Sequence, residues 1–428
     1  MVHIERYPIP PAFAILGFSE HVPRVNRKIA IESTIANRCV SEYTPFNSNY
    51  ASVDRYCDII IPPTQHLTDL SDLCVSVKGS IQKENNEAIE AEDKFLIMNN
   101  SLHSLFKSVT IYLNQTQVCN DPNYTHTSMI KNLTQFSKSD IDSAGYLIGF
   151  RDPGTFNPQE ITENTLARLP EDGEALRDFY YRGKLEADIG TIDAYLISQV
   201  EIRIRLQIAD SAHILGYDLS KKYSIKIDDL KIFVNHYELR RNASLALDNS
   251  MFNSQMCYPF KKHETKTFII NNNQTSVQID APFQNRIPQK LYIFMQHLDS
   301  ERKPNLNTHY YSLFGLNRLQ LSIDGVDMYN INCSEDKELY YAILKSLNKR
   351  DSVLTKKTWM NGSSIVALDL ATETYDENPQ NLQLNKSGNM RLKLEYKQNN
   401  NHNIAIYLMG EFTNTLNVDN NRQITIIE

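Results

Sequence analysis

No run of 18 apolar residues occurs anywhere in the chain, which argues against a membrane-spanning helix of ordinary length. Basic residues are not in excess either: 44 Lys and Arg stand against 51 Asp and Glu, for a net charge of −7 and no long basic block. Neutralising nucleic-acid phosphates requires clustered cations. Direct genome packaging and sequence-specific nucleic-acid binding are therefore not expected. The opening residues Met1 to Tyr7 lack the basic-then-apolar pattern of a secretory signal. Synthesis and assembly inside the cell are the expectation.

The six cysteines, Cys39, Cys57, Cys74, Cys119, Cys257 and Cys333, include no C-x-x-C pair. Neither a zinc site nor a redox motif is indicated, and free buried thiols are expected. Glycine is scarce, at 14 residues, while 23 Tyr and 17 Phe mark an ordered chain. Sequons such as Asn114, Asn132, Asn273 and Asn361 read as chance in an Asn-rich intracellular chain. Phosphate-loop, zinc-protease and nucleophile-elbow motifs are all missing. No enzyme activity, catalytic residue, metal or cofactor is expected.

The individual candidates for chemistry are weak. Asp228 and Asp229 would point to opposite faces of a strand, so they cannot act together as acid and base. His236 and Glu238 would share a strand face, but no third ligand lies nearby, and a surface position is the better reading. His103 is expected to be a packed, hydrogen-bonded structural histidine. Arg240-Arg241, Lys261-Lys262, Lys349-Arg350 and Lys356-Lys357 are short basic clusters that read as solvated faces or inter-subunit ion pairs.

What the sequence does contain is period-two alternation, which gives a strand one buried and one wet face. Leu73, Val75 and Val77 show it, as do Val109, Ile111 and Leu113. Ile202, Ile204, Leu206 and Ile208 set against Arg203, Arg205 and Gln207 form a nearly ideal half-buried strand. In the second half the pattern returns at Ile225 and Ile227, at Ile232 and Val234, and in Leu319 to Ile323. It continues in Leu392 to Tyr396 and closes with Ile404, Ile406 and Leu408. Asn114-Gln115 and Asp324-Gly325 supply the tight turns that join antiparallel neighbours.

Helical periodicity is short and local, at Asn99 to Phe106, Met129 to Phe136 and Tyr340 to Leu347. An all-β chain of tandem antiparallel units, with short helices in the connecting loops, is expected. The division falls at the polar stretch between Tyr217 and Tyr223. Residues 1–49 would be an N-terminal arm, 50–220 the first unit and 221–428 the second. Ser104-Leu105-Phe106 and Ser312-Leu313-Phe314 form a weak internal echo, each ahead of a strand. Cys119 to Ala194 and Tyr329 to Gly362 read as long inter-strand segments of the kind that serve binding or assembly.

The stretch Met98-Asn99-Asn100-Ser101-Leu102-His103-Ser104-Leu105-Phe106-Lys107-Ser108-Val109-Thr110-Ile111-Tyr112-Leu113-Asn114 resembles a motif of the major capsid proteins of Polintons (Mavericks) and adintoviruses. Its family-motif positions are Asn99, Leu102, Ser104, Leu105, Phe106 and Asn114, with a structural role. Tyr56 to Val77, Tyr124 with Met129 to Phe136, Ile287 to Phe294, Asn317 to Met328 and Gly388 to Glu428 resemble further family segments in the same order. Gln115 stands where Gly commonly closes the Asn turn.

The resemblance implies two tandem jelly-roll β-sandwiches, as in adenovirus hexons. It also implies a homotrimer forming a pseudo-hexagonal capsomer of an icosahedral DNA-virus shell, located in the virion. Partners would be further copies of the chain, neighbouring capsomers, and penton or minor capsid proteins. A non-enzymatic β-sandwich that binds a receptor or carbohydrate is the alternative. Such modules usually present aromatic platforms, and Trp359 is the only tryptophan.

Overall fold

The computed structural model of the chain describes residues 34–46, 56–83, 89–90, 93–168, 178–220, 222–252, 254–333, 336–347, 351–371, 385–397 and 402–428. Among the described residues sixteen strands carry the architecture, and a further short strand, Ile424–Ile427, pairs with the last of them. The first eight are β1 (Ile35–Tyr43), β2 (Tyr56–Ile61), β3 (Cys74–Lys83), β4 (Phe106–Leu113), β5 (Thr116–Asp121), β6 (Asp178–Lys184), β7 (Ile202–Ile208) and β8 (Tyr223–Leu239). The second eight are β9 (Met256–Ile270), β10 (Ser276–Asp280), β11 (Lys290–His297), β12 (Leu316–Ile323), β13 (Val326–Asn332), β14 (Val366–Asp369), β15 (Met390–Tyr396) and β16 (Ile404–Val418). Short helices and two-residue strands occupy the connections.

Each half folds into two sheets. In the first half their orders are β1-β8-β3-β6 and β2-β7-β4-β5. In the second they are β9-β16-β11-β14 and β10-β15-β12-β13, the same orders with eight added to every label. All these pairings are antiparallel, and they nest: β4 bonds β5, β3 bonds β6, β2 bonds β7 and β1 bonds β8. A long hairpin rolled up on itself produces this order, which is the jelly roll. The chain holds two of them in tandem.

Side-chain alternation explains the core. In β7, Ile202, Ile204, Leu206 and Ile208 are buried while Arg203, Arg205 and Gln207 are partly exposed. On the outer face Asp58 of β2 accepts from Arg203 Nη2 at 2.7 Å and from Arg205 Nε at 2.8 Å. Those bonds hold its carboxyl below the usual range, against a smaller upward push from burial.

The β4–β5 hairpin turns at Asn114 (φ 43°) and Gln115 (φ 71°), and the β12–β13 hairpin turns at Asp324 (φ 50°) and Gly325 (φ 83°). Two central residues with positive φ match the twist of the flanking strands. The Ser-Leu-Phe echo therefore lies beside topologically equivalent strands, β4 and β12. Gln115 adopts the left-handed region without glycine's freedom, which costs roughly 1–2 kcal/mol. Glycine gives part of that back by loosening the unfolded chain. Gln115→Gly is expected to stabilise the protein by about 0.5–1 kcal/mol, read as a raised urea midpoint; an unchanged or lower midpoint would contradict the strain argument.

Three expectations need correction. The strand β8 pairs with β1 and β3, so the division expected between Tyr217 and Tyr223 falls inside the first sandwich. The polar Asp218 to Lys222 stretch only links β7 to β8, and the crossover is α3 (Arg241–Met251). Part of the expected N-terminal arm is the strand β1, whose residues are exposed or half-buried throughout, so no alternation marks it. Cys119 to Ala194 is not a single inter-strand segment, because besides the helix α2 (Tyr124–Gln135) it holds the end of β5 and the whole of β6.

The helix α1 (Ser101–Ser104) precedes β4, and α4 (Asp336–Leu347) follows β13. Consecutive residues Leu291 to Gln296 of β11 and Ile404 to Phe412 of β16 are all buried. A sheet wet on one side would show alternation, so these strands are covered on both faces. One cover is their own sandwich and the other is the first jelly roll. A single hydrophobic cluster accordingly runs through both halves.

Candidate functional site: the seam between the sandwiches

Beside β5 and the Asp188–Thr191 turn, which pack on β9, one element of the first sandwich placed against the second is α2. Its sequence is polar, yet Tyr124 to Thr134 are all buried, so every polar side chain needs a partner. Thr125 Oγ1 donates to the Phe106 carbonyl at 2.9 Å, and Asn132 Nδ2 donates to Asn100 Oδ1 at 2.9 Å. The Tyr124 hydroxyl accepts from the Glu186 amide at 3.1 Å and lies 2.7 Å from His103 Nδ1. Its own proton then goes to Nδ1, which fixes His103 as the neutral Nε2–H tautomer. Burial, with the nearby Lys131 charge, pushes His103 down to about 3. The expected packed histidine is in place.

Two polar clusters cross the seam. In the first, His126 of α2 has Nε2 3.0 Å from Glu301 Oε1 and Nδ1 3.0 Å from the Tyr311 hydroxyl. Tyr407 donates to the same Glu301 oxygen at 2.8 Å, and Gln296 Nε2 donates to Tyr407 at 2.8 Å. Burial pushes the Glu301 carboxyl up, but the bonds from His126 and Tyr407 hold it well below the usual range. The His126 ring lies 6.2 Å from His213 and 6.1 Å from His309, centroid to centroid.

The second cluster is ionic. Lys131 of α2 reaches Asp188 Oδ1 at 3.1 Å, and His263 of β9 reaches the same oxygen through Nδ1 at 2.8 Å. His263 Nε2 stands 3.5 Å from Glu411 Oε2, and Lys261 lies 3.0 Å from Glu411 Oε1. Desolvation opposes charge throughout, but Lys131 and His263 hold Asp188 well below its usual range, and His263 and Lys261 do the same to Glu411. Burial and Lys131 press His263 downward, yet Asp188 and Glu411 win and raise it. Asp121, at the edge of the chain of charges, is pushed up to about 6 by burial and by Asp188.

The motif residues from Asn99 to Phe106 lie beside α2 within the first sandwich. Asn99 donates to the Arg151 carbonyl at 2.8 Å and accepts from the Arg151 and Asn100 amides at 2.7 Å each. Ser104 Oγ donates to the carbonyls of Asn99 and Asn100 at 2.9 and 3.0 Å. Leu102, Leu105 and Phe106 are buried. Asn114 stands apart from these. Its Oδ1 accepts from the Glu201 amide at 2.8 Å, and its Nδ2 donates 2.9 Å to the Arg422 carbonyl of the second half.

The remaining candidates scatter. His236 is buried, contrary to the surface reading, because the short strand Leu67–Thr68 pairs with β8 there. Its ring nitrogens lie 3.1 Å from the hydroxyls of Tyr43 and Thr68, while Glu238 is exposed. Asp228 and Asp229 straddle a bulge in β8 and pair with Lys226 and Lys231. The six cysteines are free, but only Cys57, Cys119 and Cys333 are buried, while Cys39 and Cys257 are exposed. Burial pushes the Cys57 and Cys333 thiols up to about 12. Lys262 pairs with Glu428 at 2.9 Å. Lys349 and Arg350 lie outside the described residues.

Neither seam cluster was singled out from the sequence. His126 and Glu301 are 175 residues apart, so no local spacing joins them. The detectable signal is the unbroken apolar run in Leu291 to Met295 and in Ile404 to Met409, which reports burial on two faces. Among the described residues no group of three His, Cys, Asp or Glu is placed to hold a metal ion, and no helix is long and apolar enough to cross a membrane.

No protein-family model matches the chain, and no curated protein does. Solved structures do match. A chain of the Sputnik virophage, solved by cryo-EM, superposes with TM-score 0.60 at 12% identity, covering 96% of this chain and 93% of that one. A chain of the PBCV-1 virus capsid gives TM-score 0.63 at 10% identity over 94% and 99% of the two chains. The mavirus major capsid protein gives TM-score 0.54 at 10% identity over 100% and 96%. At such identities what is shared is the fold, a tandem double jelly roll.

Proposed function

We propose that the chain is a major capsid protein of the Polinton and adintovirus type, a structural and non-enzymatic component of an icosahedral DNA-virus shell. The observation that carries this reading is the duplication: two jelly rolls of identical strand order, locked by a buried seam. Three copies of such a unit present six similar sandwiches, a pseudo-hexagonal ring built with threefold symmetry. Its partners are other copies of itself, neighbouring capsomers, and penton or minor capsid proteins. It acts in the virion, after assembly inside the host cell. Trp359 offers no platform for a carbohydrate, since it is 2% exposed and donates to the Ile365 carbonyl at 2.8 Å.

Apolar side chains left outside the core support a contact role. Tyr146 (77% exposed) and Leu147 lie in the Cys119 to Ala194 segment, and Tyr341 (68%) lies on α4. The same segment's α2 is consumed by the seam, so contacts between copies fall to the parts beyond it. Purified protein is expected to run as a trimer in light scattering, and electron micrographs should show hexagonal capsomers or shells. A monomer across a wide range of concentration and salt would overturn the reading. Tyr146→Ser with Tyr341→Ser is expected to weaken the trimer without lowering the unfolding midpoint.

A further inference from the structure

We infer that the seam is an acid-sensitive hinge, which opens at its histidine cluster while the Lys131–Asp188–His263–Glu411 chain stays closed as the pivot. The geometry comes first. His126 and His213 belong to the first sandwich and His309 to the second, all are buried, and both neighbours sit about 6 Å from the His126 ring. The contact is interdomain in detail: Thr308 Oγ1 donates to the His213 carbonyl at 3.1 Å.

The groups facing this cluster are Glu301, Tyr311 and Tyr407 from the second sandwich, with Lys107 and Asp210 beside His213. Glu301 is the one carboxylate bonded to His126, and it is already shared with Tyr407. Among the described residues no protein group completes a well-formed hydrogen bond to His213 Nε2 or to either ring nitrogen of His309. The Asn99 backbone and Glu301 favour a charged His309, and Glu301 a charged His213, but less than burial and the neighbouring histidines oppose it. A proton arriving on His213 or His309 would therefore enter a dry site next to another histidine. Like charges at that separation repel strongly when water is excluded.

The direction of the response follows. Burial and His126 push His213 down to about 4, and burial with His126 and His213 pushes His309 well below the usual value. Once the seam opens, both rings meet water and regain ordinary affinity. The open state then binds more protons, so opening becomes more favourable as pH falls below the ordinary histidine value. The gain is about ten-fold per pH unit for each histidine.

The other end behaves differently. Asp188 and Glu411 are held well below the carboxylate range, so they keep their charge in mild acid, and the raised His263 stays protonated. Asp121 takes up a proton near pH 6, and losing its charge relieves its repulsion with Asp188 while Asp188 and Glu186 still face Lys131. Both ends lie on α2, at His126 and Lys131, which makes that helix the lever.

The test is amide exchange of the full chain between pH 7.5 and 4.5, corrected for the intrinsic pH dependence of exchange. Protection of α2 and β11 is expected to fall by about 100-fold per pH unit within the acid window while β7 stays protected. In the double variant H213Q/H309Q this dependence should flatten. Unchanged seam protection, or the same steepness in the variant, would overturn the hinge. If the variant does not fold, exchange at the histidine ring C–H of the unaltered chain decides. Ordinary titration of His213 and His309 in the folded protein rejects the proposal, and depressed titration supports it.

Discussion

Replacing Lys131 with methionine is expected to destabilise the protein by about 3–5 kcal/mol, the cost of leaving a buried charge with its partner removed. Lys131 is 4% exposed, and its ammonium lies 3.1 Å from Asp188 and 3.2 Å from the Glu186 carbonyl. Without it, Asp188 keeps only His263 as a cationic neighbour within the ion chain. Guanidinium unfolding followed both by circular dichroism and by Trp359 fluorescence would read the loss. A second substitution, Asp188→Asn, should recover part of it, because a neutral site no longer strands a charge. A loss under about 1 kcal/mol in Lys131→Met would show that water reaches the site and that the seam is not dry.

Phe106→Ala is expected to cost about 3–5 kcal/mol, as for other fully buried aromatics cut back to alanine. The ring is 0% exposed, and the residue opens β4 while its carbonyl holds Thr125 of α2. The cavity would therefore loosen both the first core and the helix that bridges to the second. Loss of soluble protein, or a strongly lowered unfolding midpoint, is the expected readout. Ser108→Ala, at a partly exposed position two residues on, loses one hydrogen bond to Gln207, should cost no more than about 1 kcal/mol and serves as the control. Equal effects of the two would dissociate the motif from the core.

Strands with one wet face were legible in the sequence, and β7 and β15 are the clearest cases, since their pleat writes itself as alternation. The strand β1 was not, because none of its residues is fully buried and only Ile35, Ser41 and Tyr43 are half-covered, too few to write an alternation. The domain division was misplaced for a related reason. The polar loop before β8 resembles a linker, and only the hydrogen bonds to β1 and β3 assign the strand to the first sandwich. His103 could be anticipated from its apolar neighbours. His126, Glu301, Asp188 and His263 could not, because what unites them is a surface formed only when two jelly rolls dock.

The nested pairing also sets an order of events in time. The hairpin β4–β5 closes within a few residues, but β1 must wait for β8 and β9 must wait for β16. Contacts so distant in sequence make slow folding, since loop entropy is lost before pairing compensates it. On a ribosome the first jelly roll cannot finish until Leu239 has emerged, and β1 spends that interval as an unpaired edge able to join another chain. Crowded synthesis of many copies would favour such errors. Slower translation or added chaperone capacity should raise the soluble yield more than any change to the folded surface.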